Sequence, residues 1–78
     1  MGNETVFMDL VVSKLKKMLG DVKGPEVLAE ILGTLGKDKI ETPDDLKRVA
    51  DELIARGGLT RLIGYSLRTE ALLRGARP

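Results

Sequence analysis

The sequence predicts an all-α domain, a small bundle of about four helices, and three observations lead to this prediction. Apolar residues recur at three- and four-residue spacing along most of the chain, which is the period of an amphipathic helix. Glycines and prolines fall between these segments, where helices end and begin. No segment shows the strict alternation of apolar and polar residues that indicates a strand. With 78 residues, we expect a single domain that covers residues 1–78.

The composition sets limits on how this domain is stabilised. Hydrophobic residues make up 42% of the chain and charged residues 32%, a balance typical of a globular protein. The chain contains no cysteine and no histidine, so neither a disulfide nor the usual zinc site can hold it together. The aromatic residues are Phe7 and Tyr65 alone, so we expect an aliphatic core.

The first helix is predicted over residues 3–19. Asn3 or Thr5 can cap its start, since both side chains accept hydrogen bonds from free backbone N–H groups. Gly20 can end it, because glycine readily adopts the left-handed conformation that follows many helices.

The second and third helices have clear starting signals. The second is predicted over residues 25–35, with Pro25 at the first helical position, where its missing N–H costs nothing. The third is predicted over residues 43–56, with Thr42 as its cap and two acidic residues in its first turn. The residues expected to face the core from the third helix are Leu46, Val49, Ala50, Leu53 and Ile54.

The fourth helix, predicted over residues 59–74, has an irregular apolar pattern. On one straight helix its apolar residues do not gather on a single face. A break near Gly64, followed by a short final helix capped by Ser66, would bring them together. We therefore predict that the last helix is short or broken near Gly64. The sequence leaves open whether the tail, residues 75–78, is ordered.

The charges divide the chain into two parts. Residues 1–55 contain eight basic and eleven acidic residues, a net charge of −3, whereas residues 56–78 contain five arginines and one glutamate, a net charge of +4. Guanidinium groups bind carboxylates and phosphates with two parallel hydrogen bonds. We therefore predict a binding surface for an acidic protein partner or for nucleic acid. Its candidate residues are Arg56, Arg61, Arg68, Arg74 and Arg77.

The first helix is apolar around most of its circumference, which leaves two interpretations open. It can be the central helix, wrapped by the other three, or its extra apolar surface can meet a second copy of the chain. A small domain without disulfides gains much stability from dimerisation, so a homodimer is one expectation. The residues predicted for self-association are Val6, Met8, Val12 and Leu19.

Residues 59–74 resemble the helix-turn-helix signature of bacterial repressors. The matching positions are Thr60 (small), Gly64 (turn) and Tyr65 (apolar), followed by Ser66, Arg68 and Thr69 at the start of a recognition helix. The resemblance implies that Arg61, Arg68 and Arg74 contact phosphates or guanine edges of duplex DNA. The segment departs from the family at Glu70, where a buried aliphatic residue is usual, and at Leu67, where an exposed polar residue is usual.

The sequence offers little for catalysis. Its two serines, Ser13 and Ser66, have no nucleophile context, and no glycine-rich loop leads into a lysine and a hydroxyl residue. We expect no enzyme activity, catalytic residue, cofactor, metal site or small-molecule substrate. No apolar run is long enough to span a membrane, and the lack of cysteine fits a cytoplasmic protein.

Two functions remain from the sequence. The first is a non-enzymatic regulatory or adaptor protein that self-associates and binds an acidic partner surface through its arginine-rich C-terminal segment. The alternative is a dimeric DNA-binding regulator that uses residues 59–74 as a helix-turn-helix. Glu70 and Leu67 favour the first function, whereas Gly64 and the arginines favour the second.

Overall fold

A computed structural model describes residues 4–77 as a bundle of four helices. These are α1 (Glu4–Leu19), α2 (Lys23–Leu35), α3 (Pro43–Arg56) and α4 (Gly58–Leu73). The described residues include no strand. The structure confirms the predicted all-α bundle.

The helix boundaries agree closely with the sequence patterns. The predicted first residue of α1, Asn3, and the last residue of the tail, Pro78, lie outside the described residues. Gly20 follows α1 with a φ of 99°, in the left-handed region that favours glycine. α2 begins at Lys23, slightly earlier than predicted, and Pro25 lies in its first turn, where a proline N–H is not needed.

The core receives side chains from all four helices and is aliphatic except for Phe7, which is also buried, so the expected aliphatic core holds with this one exception among the described residues. α3 contributes most of its predicted face, since Leu53 and its neighbours on that face are buried and Ile54 is half-buried. The largest side chains with almost no exposed surface are Val11, Leu15, Ile31, Ile40, Leu46, Val49, Leu53 and Leu67.

The start of α3 is fixed by a reciprocal cap. The hydroxyl of Thr42 accepts a hydrogen bond from the backbone N–H of Asp45, and the Asp45 carboxylate accepts one from the backbone N–H of Thr42 and one from that of Glu41. Lys37 places its ammonium 3.2 Å from the same carboxylate. Burial raises the pKa of Asp45, but these hydrogen bonds and the charge of Lys37 outweigh it, so the pKa lies below its usual 3.8.

α3 and α4 share the most extensive contact of the helix pairs in the described residues. Gly57 and Gly58 make the turn between them with φ values of 76° and 61°, which side chains with a Cβ atom rarely adopt. The Thr60 hydroxyl, in the first turn of α4, lies 2.6 Å from the carbonyl oxygen of Gly57 and 3.1 Å from that of Leu53. Its single proton is directed at these two carbonyl oxygens, so the hydroxyl ties the first turn of α4 to the turn at Gly57 and to the end of α3.

The break predicted in the last helix is not present, because α4 runs without interruption through Gly64 and Ser66. A methyl group at Gly64 would lie 2.7 Å from the carbonyl oxygen of Ala50 and 2.8 Å from the backbone nitrogen of Ile54, both in α3. Glycine at this position therefore allows two helix backbones to touch. It does not make a turn.

Residues 75–77 continue from α4 back toward the start of α3. Ala76 is buried, and its N–H donates a hydrogen bond to the carbonyl oxygen of Ala71. The backbone N–H of Arg77 donates to the Asp44 carboxylate over 2.9 Å. This part of the tail is thus attached to two helices.

Candidate partner-binding surface

α4 presents one side to the core and a second apolar side to solvent. Its buried residues are Ile63, Gly64, Leu67 and Ala71, which recur at helical spacing. Five large residues of the same helix are exposed, and at 3.6 residues per turn they fall on the side opposite the buried set. They are Leu59, Leu62, Tyr65, Leu72 and Leu73, which we call the α4 outer face. The exposed fraction reaches 61% for Leu62 and 79% for Leu73.

The α4 outer face borders a groove between α1 and α4. The groove is lined by Lys14, Lys17, Met18, Leu62, Ile63 and Ser66, and we call it the α1–α4 groove. Met18 is exposed, so an apolar residue of α1 continues the exposed surface of α4. The result is an apolar surface contributed by two helices, with two ammonium groups on its α1 side.

Arg61 and Arg68 lie on the exposed part of α4, as the charge pattern predicted. The Arg61 guanidinium contacts Tyr65, with its carbon 5.7 Å from the ring centroid and a nitrogen 3.4 Å from the hydroxyl. Within residues 4–77, neither arginine forms an ion pair with a carboxylate. Lys14 and Lys17 also lack such a partner there. These four cations carry charge that the described part of the chain does not neutralise by direct pairing.

Of the other three predicted arginines, Arg56 and Arg77 lie elsewhere, whereas Arg74 lines a cleft that adjoins the α1–α4 groove and shares Lys14 and Lys17 with it. Arg56 forms an ion pair of 3.0 Å with Glu30 of α2. Arg74 binds Glu70 over the same distance and lies over the Phe7 ring, 5.8 Å from its centroid. Arg77 shares a separate cleft with Asp44 and two basic residues of α3. The structure therefore does not bring all five arginines into one site.

The residues predicted for self-association fall into two groups, three that pack against the core and one that is exposed. Met8, Val12 and Leu19 are half-buried and pack against the core, as a central helix requires. Val6 is the exception, with 44% of its surface exposed. α1 therefore uses most of its broad apolar surface inside the bundle, and little of the predicted set is left to meet another chain.

The helix-turn-helix arrangement has no turn in which to form. Residues 59–73 belong to one helix, and Gly64 lies against α3. Leu67 is fully buried, whereas Glu70 is half-buried and paired with Arg74. Both residues are therefore placed as their departures from the repressor signature suggest.

The sequence interpretation missed the apolar part of this surface. It treated the scattered apolar residues of α4 as evidence for a break, although they form two sets on opposite sides of a continuous helix. The signal was the spacing of Leu59, Leu62 and Leu73, which are three and then eleven residues apart and so fall on one face of a helix with 3.6 residues per turn. Lys14 and Met18 carry no such signal, because only the packing of α1 against α4 brings them to the groove.

Within residues 4–77, no helix combines the length and the apolar character needed to cross a lipid bilayer. Comparisons with protein-family models, with curated proteins and with solved structures each gave no match to the chain.

Proposed function

We propose that this chain is a small non-enzymatic docking protein, of the adaptor or regulatory kind, that binds an acidic protein partner through the α4 outer face. One observation carries the proposal: a helix side bearing five large exposed apolar residues also bears Arg61 and Arg68, neither paired with a carboxylate in the described residues. A soluble domain rarely leaves such an apolar surface without a use.

Both components of this surface contribute to binding in known ways. Burial of exposed leucine and tyrosine side chains supplies affinity, and arginine and tyrosine are common among the residues that dominate interface energies. Unpaired guanidinium groups at the edge attract a carboxylate-rich surface and accelerate its association. The partner that fits both components is apolar at its centre and acidic at its margin.

Self-association stays a prediction. If two copies met through their α4 outer faces about a two-fold axis, each basic edge would lie close to the other, because such an interface pairs a surface with itself. This repulsion favours a different, acidic partner. A light-scattering mass measurement decides the question, since the predicted homodimer would show twice the chain's mass of 8.5 kDa.

The experiment that tests the docking function uses matched baits. One is the unchanged chain, the second carries Arg61→Glu and Arg68→Glu, and the control carries Arg48→Glu, an exposed arginine of α3. Proteins captured by the unchanged bait are purified and titrated directly. We expect a captured acidic protein to bind the unchanged chain and the control equally and to lose at least tenfold in affinity for the double variant.

A DNA titration runs beside it. Binding to duplex DNA that is micromolar or tighter at about 150 mM salt, and that is lost in the double variant, would contradict the protein partner. DNA binding would also weaken steeply with salt, with a slope of roughly 0.9 for each phosphate contacted. Equal affinity of the captured protein for all three baits would equally contradict the proposed surface.

A further inference from the structure

We infer that the occupant of the α1–α4 groove is an amphipathic helix of the partner, with an aliphatic stripe flanked by carboxylates on both sides. This inference rests on the proposed docking function and specifies the shape and charge pattern of the partner.

The exposed surface of α4 has the form of a helix-packing seam. Leu59, Leu62, Ser66, Thr69 and Leu73 follow one another at intervals of three, four, three and four residues. This is the spacing with which one helix presents a continuous seam to a second helix lying nearly along it. The seam runs over fifteen residues, from Leu59 to Leu73, and its fourteen steps of 1.5 Å give a length of about 21 Å. A partner helix of about four turns covers it.

The two polar positions in the seam are compatible with a covering helix. The Thr69 hydroxyl already donates a hydrogen bond to the carbonyl oxygen of Tyr65, so its polar group is satisfied within α4. Ser66 is exposed and lines the groove, where it can bond to a polar group of the partner. Met18 extends the contact onto α1, and methionine adapts well to the shape of an incoming apolar side chain.

The cations specify the flanks of the partner helix. Lys14 and Lys17 are three residues apart on α1 and line the groove, whereas Arg61 and Arg68 are seven residues apart on the exposed part of α4. Two acidic residues one turn apart on one flank would match the lysines, and two acidic residues two turns apart on the other would match the arginines. Of the chain's own nearby carboxylates, Glu70 is held by Arg74. Asp9 lines an adjoining cleft together with Lys14 and Lys17, but in the described residues it forms no ion pair with either lysine.

Helix-in-groove recognition is therefore favoured over the other occupants of an apolar face. A second copy of α4 would supply the apolar stripe but would add arginines where carboxylates are needed. An anionic lipid surface would supply the charge without the helical spacing. The test described next can also detect binding of either of these two alternative occupants.

The test uses three synthetic, fluorescently labelled 21-residue peptides. The first has leucines at alternating three- and four-residue spacing and glutamates on both flanks. The second replaces every glutamate with lysine. The third has the composition of the first with its leucines rearranged so that no stripe forms. We expect saturable binding of the first peptide, at least tenfold weaker binding of the second, and none of the third, as measured by fluorescence anisotropy.

Variants of the chain locate the binding site. Leu62→Asp and Met18→Asp are expected to weaken binding of the acidic peptide at least tenfold, because they place carboxylates against it. Val22→Asp adds the same charge at an exposed residue that does not line the groove, so it should leave binding within a factor of two. Circular dichroism of each variant verifies that it is folded. The double variant Arg61→Glu and Arg68→Glu should bind the lysine peptide more tightly than the unchanged chain does.

Each other result overturns the inference. No saturable binding of the acidic peptide, equal binding of the rearranged peptide, or binding to phosphatidylserine vesicles alone would exclude the helix. If a captured acidic protein still depends on Arg61 and Arg68 in that case, the docking function stands and only the helical occupant is wrong. If the captured proteins are indifferent to both arginines as well, the docking function fails with it.

Discussion

α4 packs on two neighbours, and the two junctions differ in almost every respect. Toward α3 its backbone makes direct contact at Gly64, and the preceding turn is fixed by two glycines of positive φ. Toward α1 it leaves a groove with exposed apolar residues and unpaired lysines. One side of the helix is thus committed to the fold, whereas the other is accessible to another molecule. Under the proposed function, stability and binding are therefore carried by separate sides of the same sixteen residues.

The largest effect on stability should come from the core of α3, the helix on which the committed side of α4 packs. Leu53 has no exposed surface, and truncation of a buried leucine costs both its apolar burial and the cavity left behind. We expect Leu53→Ala to lower the free energy of unfolding by about 2–5 kcal/mol, measured by urea denaturation. Leu73→Ala, at a residue that is 79% exposed, is the control and should change little. Near-native stability of Leu53→Ala would mean that the core of α3 is misplaced.

A glycine pair tests the close contact itself. Gly64→Ala places a methyl group against backbone atoms of α3, so the helices must move apart, and we expect a loss of about 1–3 kcal/mol. Gly33→Ala is the matched control. It also lies inside a helix, but a methyl group there meets nothing within 4 Å, so it should stabilise the chain by about 0.5–1 kcal/mol. If both variants behave alike in thermal denaturation, α3 and α4 are not in backbone contact.

The sequence predicted α3 far better than it predicted α4. The elements of α3 were readable because Thr42 and Pro43 mark its start and its apolar residues follow a single stripe. α4 was misread because Gly64 has two possible roles, a turn or a close contact, and only the position of Ala50 and Ile54 in space distinguishes them.

For the candidate site too, the sequence could not reveal contacts that form only in the folded structure. Arg61 and Arg68 were predicted from charge alone, and the structure exposes both of them on α4. Their role in binding stays a prediction. Charge alone could not reveal the partner of Arg56, because its carboxylate partner depends on the folded arrangement. The Glu70–Arg74 pair, by contrast, is four residues apart on one helix and could have been predicted from the sequence. Glu30 is twenty-six positions before Arg56 in the chain, and the ion pair forms only because α2 and α3 are neighbours.

Acid should lower the stability of the fold by weakening the cap at the start of α3. Because the folded pKa of Asp45 lies below its usual 3.8, its charge stabilises the fold above that pH, and this contribution is lost as pH falls through the folded value. We expect Asp45→Asn to cost about 1 kcal/mol at neutral pH. The difference from the unchanged chain should shrink below about pH 3.8, because protonated Asp45 is also neutral. A difference that stays constant from pH 7 to about pH 3 would assign the effect to shape and not to charge.

The smallest effect on stability should come from the accessible side. Leu62 is 61% exposed in the described structure, so Leu62→Asp removes little buried surface and places its carboxylate largely in water. We expect the free energy of unfolding to change by no more than about 0.5 kcal/mol, as for most surface substitutions. The same urea denaturation that detects the loss in Leu53→Ala measures this null result, so the two variants share one scale. A loss above about 1 kcal/mol would mean that Leu62 supports the junction of α1 and α4. Its use as a binding residue would then conflict with its use in the fold, and the separation between the two sides of α4 would not hold.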